Sequence, residues 1–377
     1  MDDSSHPWTR RFSLLTAITS ALLVPWSACG EDGFGESARW LAVSAGDWYT
    51  CAIRDDRSMW CWGRNNSGVL GDGTSVTRLH PTQVEGGMAW SHVTAQSATT
   101  CGFPVDVDVP WCWGDWDGSY VPAPALDPEI AWSDVMLFDY GVCGIRVDEE
   151  GMWCWNDDLR GDLLFPMGGP GWGAYDANTH VCAVRDDGTM WCAGYNSHGQ
   201  LGDGSTDPAT ALVQVTGGEA WAAVAVGVEH TCGIDSAGAA WCWGANRNGA
   251  TGLGHYAPGN QYAPAPVAGD ATWKQITAGS QFTCAIRSDD TLWCWGYGYE
   301  GQLGQGAERV IAHEPLEVLG GRKWLTVSAG KRHVCAIDER DHLYCWGFNT
   351  HGNVGDGTTE PRLAPYRITL GGSGGAN

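Results

Sequence analysis

Seven times along this chain two cysteines recur ten or eleven residues apart, and the second cysteine usually sits between aromatic residues. TCAIRSDDTLWCWG at 283–296 is one copy. TCAIRDDRSMWCWG (50–63), VCAVRDDGTMWCAG (181–194), TCGIDSAGAAWCWG (231–244) and VCAIDERDHLYCWG (334–347) are four more. Looser copies run through TCGFPVDVDVPWCWG (100–114) and VCGIRVDEEGMWCWN (142–156). A tryptophan opens each copy (Trp40, Trp90, Trp132, Trp172, Trp221, Trp273 and Trp324), at intervals of 40 to 52 residues. That period suits a propeller blade and exceeds most helical repeats. Within a copy, β-branched and aromatic residues are interrupted at short intervals by turn residues, and helical periodicity is absent. The expectation is an all-β, seven-bladed β-propeller of about 50-residue repeats.

The cysteines fix the local geometry further. Cys284 ends one arm of a hairpin turning at Ser288, Asp289 and Asp290, and Cys294 falls opposite on the return. Directly opposed antiparallel residues approach to about 4.5 Å between Cα atoms, within disulfide reach. The same reasoning pairs Cys51 with Cys61, Cys101 with Cys112, Cys143 with Cys154, Cys182 with Cys192, Cys232 with Cys242, and Cys335 with Cys345. One disulfide per blade is expected. Trp293 and Trp295 flank Cys294, so both point to the face opposite the sulfur, against a neighbouring blade or the outer surface. Of the fifteen cysteines only Cys29 is left over. A disulfide framework of this density belongs to an oxidising, extracytoplasmic compartment.

After the second cysteine, five copies carry a glycine signature: NNSGVLGDG (65–73), NSHGQLGDG (196–204), NRNGATGLG (246–254), YEGQLGQG (299–306) and NTHGNVGDG (349–357). A short strand with Pro and Val follows. No such strand precedes the first copy, and LAPYRITL (363–370) is expected to complete the first blade and close the ring, with 371–377 as a flexible tail. This combination (VSAG, HVCAI, LYCWG, N-x-x-G-x-x-G-D-G and a period near 50) resembles the regulator of chromosome condensation repeat. The resemblance covers about 40–370 and implies a seven-bladed propeller that acts by presenting loops to protein ligands. Copies two and three lack the glycine signature, Asn156 stands for the usual Gly, and Ala193 for the usual Trp.

Upstream, Arg10 and Arg11 precede FSLLTAITSALLV, an apolar run too short to span a bilayer but suited to a signal-peptide core. The run ends at Ser27, Ala28 and Cys29, which resembles the lipobox of bacterial lipoproteins. The expected organisation is a signal peptide (1–28), a lipidated Cys29 with a short tether (29–39), the propeller (40–370) and the tail. Gly30 after the cysteine favours outer-membrane sorting; secretion is the alternative.

The net charge of −23 disfavours nucleic acid and anionic membranes and is compatible with a basic protein partner. The glycine loops lack the lysine and following helix of a phosphate loop. The acidic pairs at 55/56, 186/187 and 289/290, and Asp203 before Gly204, lack calcium-loop spacing and read as turns. His180, His230 and His333 precede the first cysteine by two residues, where other copies hold Tyr49, Thr99, Gly141 and Phe282. Such variable positions read as buried histidines bonded to backbone. No catalytic residue, metal site or cofactor is expected, and the binding residues are left open. Trp48 and Trp116 lie outside the repeated positions and are candidates for stacking on sugar rings or for packing at a blade edge. The leading expectation is a monomeric, non-enzymatic extracytoplasmic binding scaffold for a protein ligand. A carbohydrate-binding or enzymatic propeller with a central-channel site, and a structural envelope lipoprotein, are the alternatives.

Overall fold

The computed structural model describes residues 39–370, apart from 117, 126–129, 139–140, 148–150, 157–164, 167–170, 219 and 255–258. The signal peptide, Cys29 and the tail from Gly371 lie outside the described residues. Among those described, seven antiparallel sheets of four strands account for all regular structure, and no helix is present. In blade 1, β1 (Trp40–Ala45), β2 (Tyr49–Arg54), β3 (Met59–Gly63) and β4 (Arg78–Gln83) follow one another from the channel outward. Blades 2 to 7 repeat this order over 90–124, 132–166, 172–214, 221–266, 273–317 and 324–367.

The cysteines sit directly opposite in the second and third strands of every blade, as in the Cys51–Cys61 and Cys284–Cys294 pairs. All seven are bridged, with Cα atoms 4.0 or 4.1 Å apart. The eleven-residue spacing in blades 2 and 3 leaves the Cys101–Cys112 and Cys143–Cys154 registers intact, because the extra residue falls in the hairpin. Side chains alternate across a strand, so the sulfurs face one neighbouring blade and the tryptophans the other. Trp62, Trp113, Trp243, Trp295 and Trp346 are fully buried. Each lies 5.6–6.2 Å from the tryptophan that opens its own blade. In blade 6 the preceding aromatic is only half-buried: Trp293 lies under the Arg287 guanidinium, 3.5 Å from its ring centre.

The C-terminal strand corrects one expectation. Arg362–Arg367 pairs with Leu343–Gly347 and completes blade 7, whereas blade 1 has β4 of its own. The loop that leaves the third strand returns to the same sheet, so every blade is built from consecutive strands. The ring closes by the contact that joins the other blades. The backbone N–H of the opening tryptophan donates to a carbonyl in the preceding blade's hairpin: Trp90 to Arg57 (2.9 Å), Trp273 to Gly238 (2.8 Å) and Trp324 to Asp290 (2.9 Å). At closure, Trp40 donates to Asp341 (2.9 Å). Trp40 and Trp62 share a buried cluster with Ile337, Leu343, Val354 and Ile368 of blade 7. Blades 2 and 3, whose sequences depart from the pattern, have outer strands of two residues each, Ala123–Pro124 and Phe165–Pro166.

Candidate functional site

The residues that recur most faithfully meet between blades. The Trp295 indole N–H and the Thr283 hydroxyl both donate to the Ala250 carbonyl in the glycine loop of the preceding blade, each at 2.9 Å. His230 Nε2 lies 2.9 Å from the Thr283 hydroxyl oxygen. A threonine hydroxyl has one proton, already given to Ala250, so the histidine is the donor and its ring is the neutral Nε2–H tautomer. Trp243 and Thr231 converge on the Gln200 carbonyl (2.9 and 2.7 Å), with His180 Nε2 at 2.6 Å from Thr231. Across the closure, Trp62 and Thr50 converge on the Asn353 carbonyl (3.0 and 2.8 Å), with His333 Nε2 at 2.8 Å from Thr50. The partner of each histidine is therefore a hydroxyl of the next blade rather than backbone. Burial pushes the imidazoles down, His180 and His333 to about 3 and His230 to about 4.

The clamp explains why the histidine position varies. Tyr49 meets the Thr100 hydroxyl at 3.0 Å. Phe282, which has no hydrogen to give, faces a blade that carries Val334 in place of threonine, and both are buried. Gly141 and Thr99 likewise precede blades with Val181 and Val142. Blade 4 holds a buried Ala193 where the other blades carry the indole. We expect Thr283→Val to leave the buried His230 N–H without an acceptor and to cost about 1–3 kcal/mol. The pair His230→Phe with Thr283→Val copies the Phe282–Val334 junction and should recover most of that loss. A double-mutant cycle on urea midpoints measures it; additive losses would refute the coupling.

The glycine loops are structural for the same reason. At Gly252 the backbone takes φ 66°, and a Cβ there would stand 2.7 Å from Trp295 Nε1. Asn65 holds its own loop closed, accepting from Leu70 N–H (3.0 Å) and donating to the Asp72 carboxylate (3.1 Å) and the Thr74 carbonyl (2.9 Å). The acidic pairs fasten turns: Asp289 accepts from the Thr291 N–H (3.0 Å) and hydroxyl (2.6 Å), and Asp187 does the same with Thr189 (2.9 and 2.6 Å).

Two features remain accessible. The first is the channel, where the inner strands end around a cavity of about 120 Å³. Here a side-chain oxygen of one blade accepts a backbone N–H of the next: Ser44 from Ala95 (2.9 Å), Asp176 from Val226 (2.7 Å), Thr277 from Ala329 (3.1 Å) and Ser328 from Ala45 (3.0 Å). Burial raises the Asp176 carboxyl to about 6, against the two N–H bonds it accepts from Val226 and Ala177. The other carboxylate at this mouth, Asp47, is tied to Lys331 at 2.9 Å. This belt binds blade to blade.

The second is the end of the ring where the first-to-second-strand turns and the glycine loops emerge. Across blades 6, 7 and 1 it carries Tyr297 stacked on Tyr299 (4.8 Å), Arg332 beside Glu300 (3.3 Å), and Phe348 and His351 against Trp48 (5.2 and 5.6 Å). Trp116, by contrast, is half-buried against the cluster between blades 2 and 3.

A closed ring of seven disulfide-bridged blades, locked by recurring side chains, defines a propeller scaffold whose variable residues are left for its loop face. Models of the Regulator of chromosome condensation (RCC1) repeat match the chain at 40–69, 178–200, 221–250, 273–302 and 325–353, and at 57–101, 237–286 and 289–337. Together they cover more than half of it, and the protein belongs to this repeat family. The human E3 ubiquitin-protein ligase HERC2 is 35% identical over 95 residues, which is 25% of this chain and 2% of HERC2. The chain thus spans a small part of that relative. The crystal structure of human WBSCR16 superposes with a TM-score of 0.73 at 18% identity, covering 83% of this chain and 94% of that one. Prp20p from Saccharomyces cerevisiae superposes at 0.53 with 17% identity, covering 88% and 77%. At these identities the structural likeness establishes the fold alone.

Proposed function

We propose that this protein is a non-enzymatic scaffold that binds a protein partner on the glycine-loop end of blades 6, 7 and 1, outside the cytoplasm. One observation carries the reading. The recurring polar and aromatic residues are enclosed in inter-blade clamps, while the aromatic and arginine residues exposed on this face, Tyr299 at 41% exposure and Arg332 among them, do not recur. Exposed tyrosine, tryptophan and arginine gathered in one patch are the residues that dominate protein interfaces. The structure of Prp20p, a propeller of the same fold, was described together with its binding to Gsp1p and histones, which supports a protein ligand. The net charge of −23 favours a basic one by steering.

The oxidising compartment rests on the seven bridges. In this reading residues 1–28 direct export, and Cys29 carries the lipid that holds the chain at the envelope. Intact mass of the mature protein, with and without alkylation, tests the anchor: a lipid adduct supports it, and a free Cys29 thiol refutes it. The partner reading is tested by immobilising the oxidised protein, capturing from envelope extracts and eluting with salt. Tyr299→Ala and Arg332→Glu should each weaken capture of the same partner at least about tenfold, as interface hot spots do. Lys274→Glu, at the opposite end of the ring, should leave it unchanged. Capture indifferent to Tyr299 and Arg332 would remove this face from consideration.

A further inference from the structure

The junction of blades 1 and 2 differs from that of blades 5 and 6 on the same face. Between blades 5 and 6 the cleft beside the clamp is nearly filled: Asn248 reaches across to Gln281 at 2.8 Å, and about 10 Å³ remains. At the corresponding place between blades 1 and 2 the cleft opens to about 130 Å³. The positions of Asn248 and Gln281 are held there by Ser67 and Ala98, too short to bridge, and Glu229 is replaced by Trp48. The junction of blades 5 and 6 is closed, and this one is open.

What lines the opening is chemically specific. Trp48, Arg64, Asn66, Ser67 and Asp115 all border it. Among the described residues, none of the side chains of Arg64, Asn66, Ser67 and Asp115 makes a hydrogen bond or ion pair, and the Trp48 indole N–H has no acceptor. Asn65, Asn248 and Thr283, by contrast, are tied down. Four side chains and one indole N–H around one cleft form a surface whose hydrogen-bonding capacity is left for a ligand.

The inventory selects the ligand class. Arg64 and the Trp48 N–H supply donors, Asp115 supplies acceptors, and Asn66 and Ser67 supply both. One cation and one carboxylate cancel, so the site favours neither an anion nor a cation. Phe348 and His351 support the indole of Trp48 at 5.2 and 5.6 Å, and the Lys331 ammonium, neutralised by Asp47, lies 5.7 Å from its ring centre, which holds an aromatic plane beside these groups. A neutral polyhydroxylated ring has hydroxyls that both give and accept and an apolar C–H face for the indole. The geometry points to a saccharide site between blades 1 and 2 that takes one hexopyranose ring, with Trp48 as the platform and Arg64, Asn66 and Asp115 as the hydroxyl readers. It adjoins the protein-binding patch through Trp48, while Tyr299 and Arg332 do not line it.

The test is saturation-transfer NMR on the oxidised full chain, with the methyl glycosides of glucose, galactose and mannose as probes, and with arginine methyl ester and acetate as charged controls. At least one glycoside should show saturation of its ring C–H protons, with a dissociation constant near about 1 mM. Trp48→Ala should weaken it at least about tenfold. Asp115→Asn, at an exposed position that carries no packing, should weaken it several-fold and serves if the tryptophan variant is unstable. Tyr299→Ala should leave glycoside binding unchanged, which separates this site from the protein-binding patch. No transfer to any glycoside, transfer indifferent to Trp48 and Asp115, or a stronger signal from arginine methyl ester or acetate at the same residues would each overturn the saccharide assignment.

Discussion

Reduced in denaturant and then diluted into reductant, the chain is expected not to regain its fold. Each bridge closes a hairpin of ten or eleven residues, as between Cys51 and Cys61 or Cys101 and Cys112. A loop of that length removes about 3 kcal/mol of unfolded-state freedom in the chain-entropy model. The seven loops are separate, so their effects are close to additive, and their sum exceeds the roughly 5–15 kcal/mol of a typical domain. The native protein should nevertheless resist reductant. Thirteen of the fourteen bridged cysteines are 0% or 1% exposed, and Cys154 alone retains 7%. Thiolate attack needs access to sulfur, so Cys143–Cys154 in blade 3 should open first and the rest only on unfolding. Alkylation followed by peptide mass mapping over time in millimolar dithiothreitol reads the order. A reduced chain that recovers cooperative urea unfolding, or random opening among the bridges, would refute this account.

Much of this architecture is legible in the sequence, because the repeat states its own period and the cysteine spacing implies a hairpin. The Cys284–Cys294 bridge and the burial of Trp295 follow from counting residues along one strand pair. What was not legible is what lies between copies. The histidine position looked inconsistent when the copies were aligned on one another, with Phe282 and Gly141 among its occupants. Read instead against the next copy, every His or Tyr there faces Thr, and Phe282, Gly141 and Thr99 face Val. That pairing is a signal in the sequence, but it connects residues about 50 apart and needs the ring before it makes sense. The blade to which the C-terminal strand belongs is not legible for a related reason. A strand is assigned to the sheet that its loop returns to, and the glycine signature does not by itself say that it folds back on its own blade. Trp48 shows the opposite limit. Its place outside the repeat marked it as unusual, yet the cleft beside it exists because Ser67 and Ala98 are small, and small residues leave no mark in a motif.

Between pH 7 and pH 5 the folded protein should lose a few kcal/mol of stability, set by three histidines and opposed by one carboxyl. His180, His230 and His333 are held at about 3, 4 and 3 in the folded state, against 6.5 when free. Below pH 6.5 the unfolded chain therefore binds three protons that the native clamps refuse. Their contribution is complete above pH 6.5 and is lost as the pH falls toward 3–4. Asp176 works the other way. Its carboxyl stands at about 6 in the fold against 3.8 when free, so between those values the native state holds the extra proton and gains stability on acidification. Near pH 5 the net is about two protons, so stability falls on acidification. The Asp72 and Asp356 carboxyls, drawn below the usual range by bonds from Thr74 and Thr358 and from Arg78 and Arg362, act only at lower pH, while His351, lowered by burial and by Arg64, adds to the loss in this window. Two variants separate the signs. His230→Phe with Thr283→Val removes one refusing group and should cut the slope to about one proton. Asp176→Asn removes the opposing one and should steepen it to about three. Urea midpoints from pH 7 to 5, with bridges intact throughout, supply the slopes. A flat profile, or a slope that Asp176→Asn leaves unchanged, would show that the clamps open to water before the blades separate.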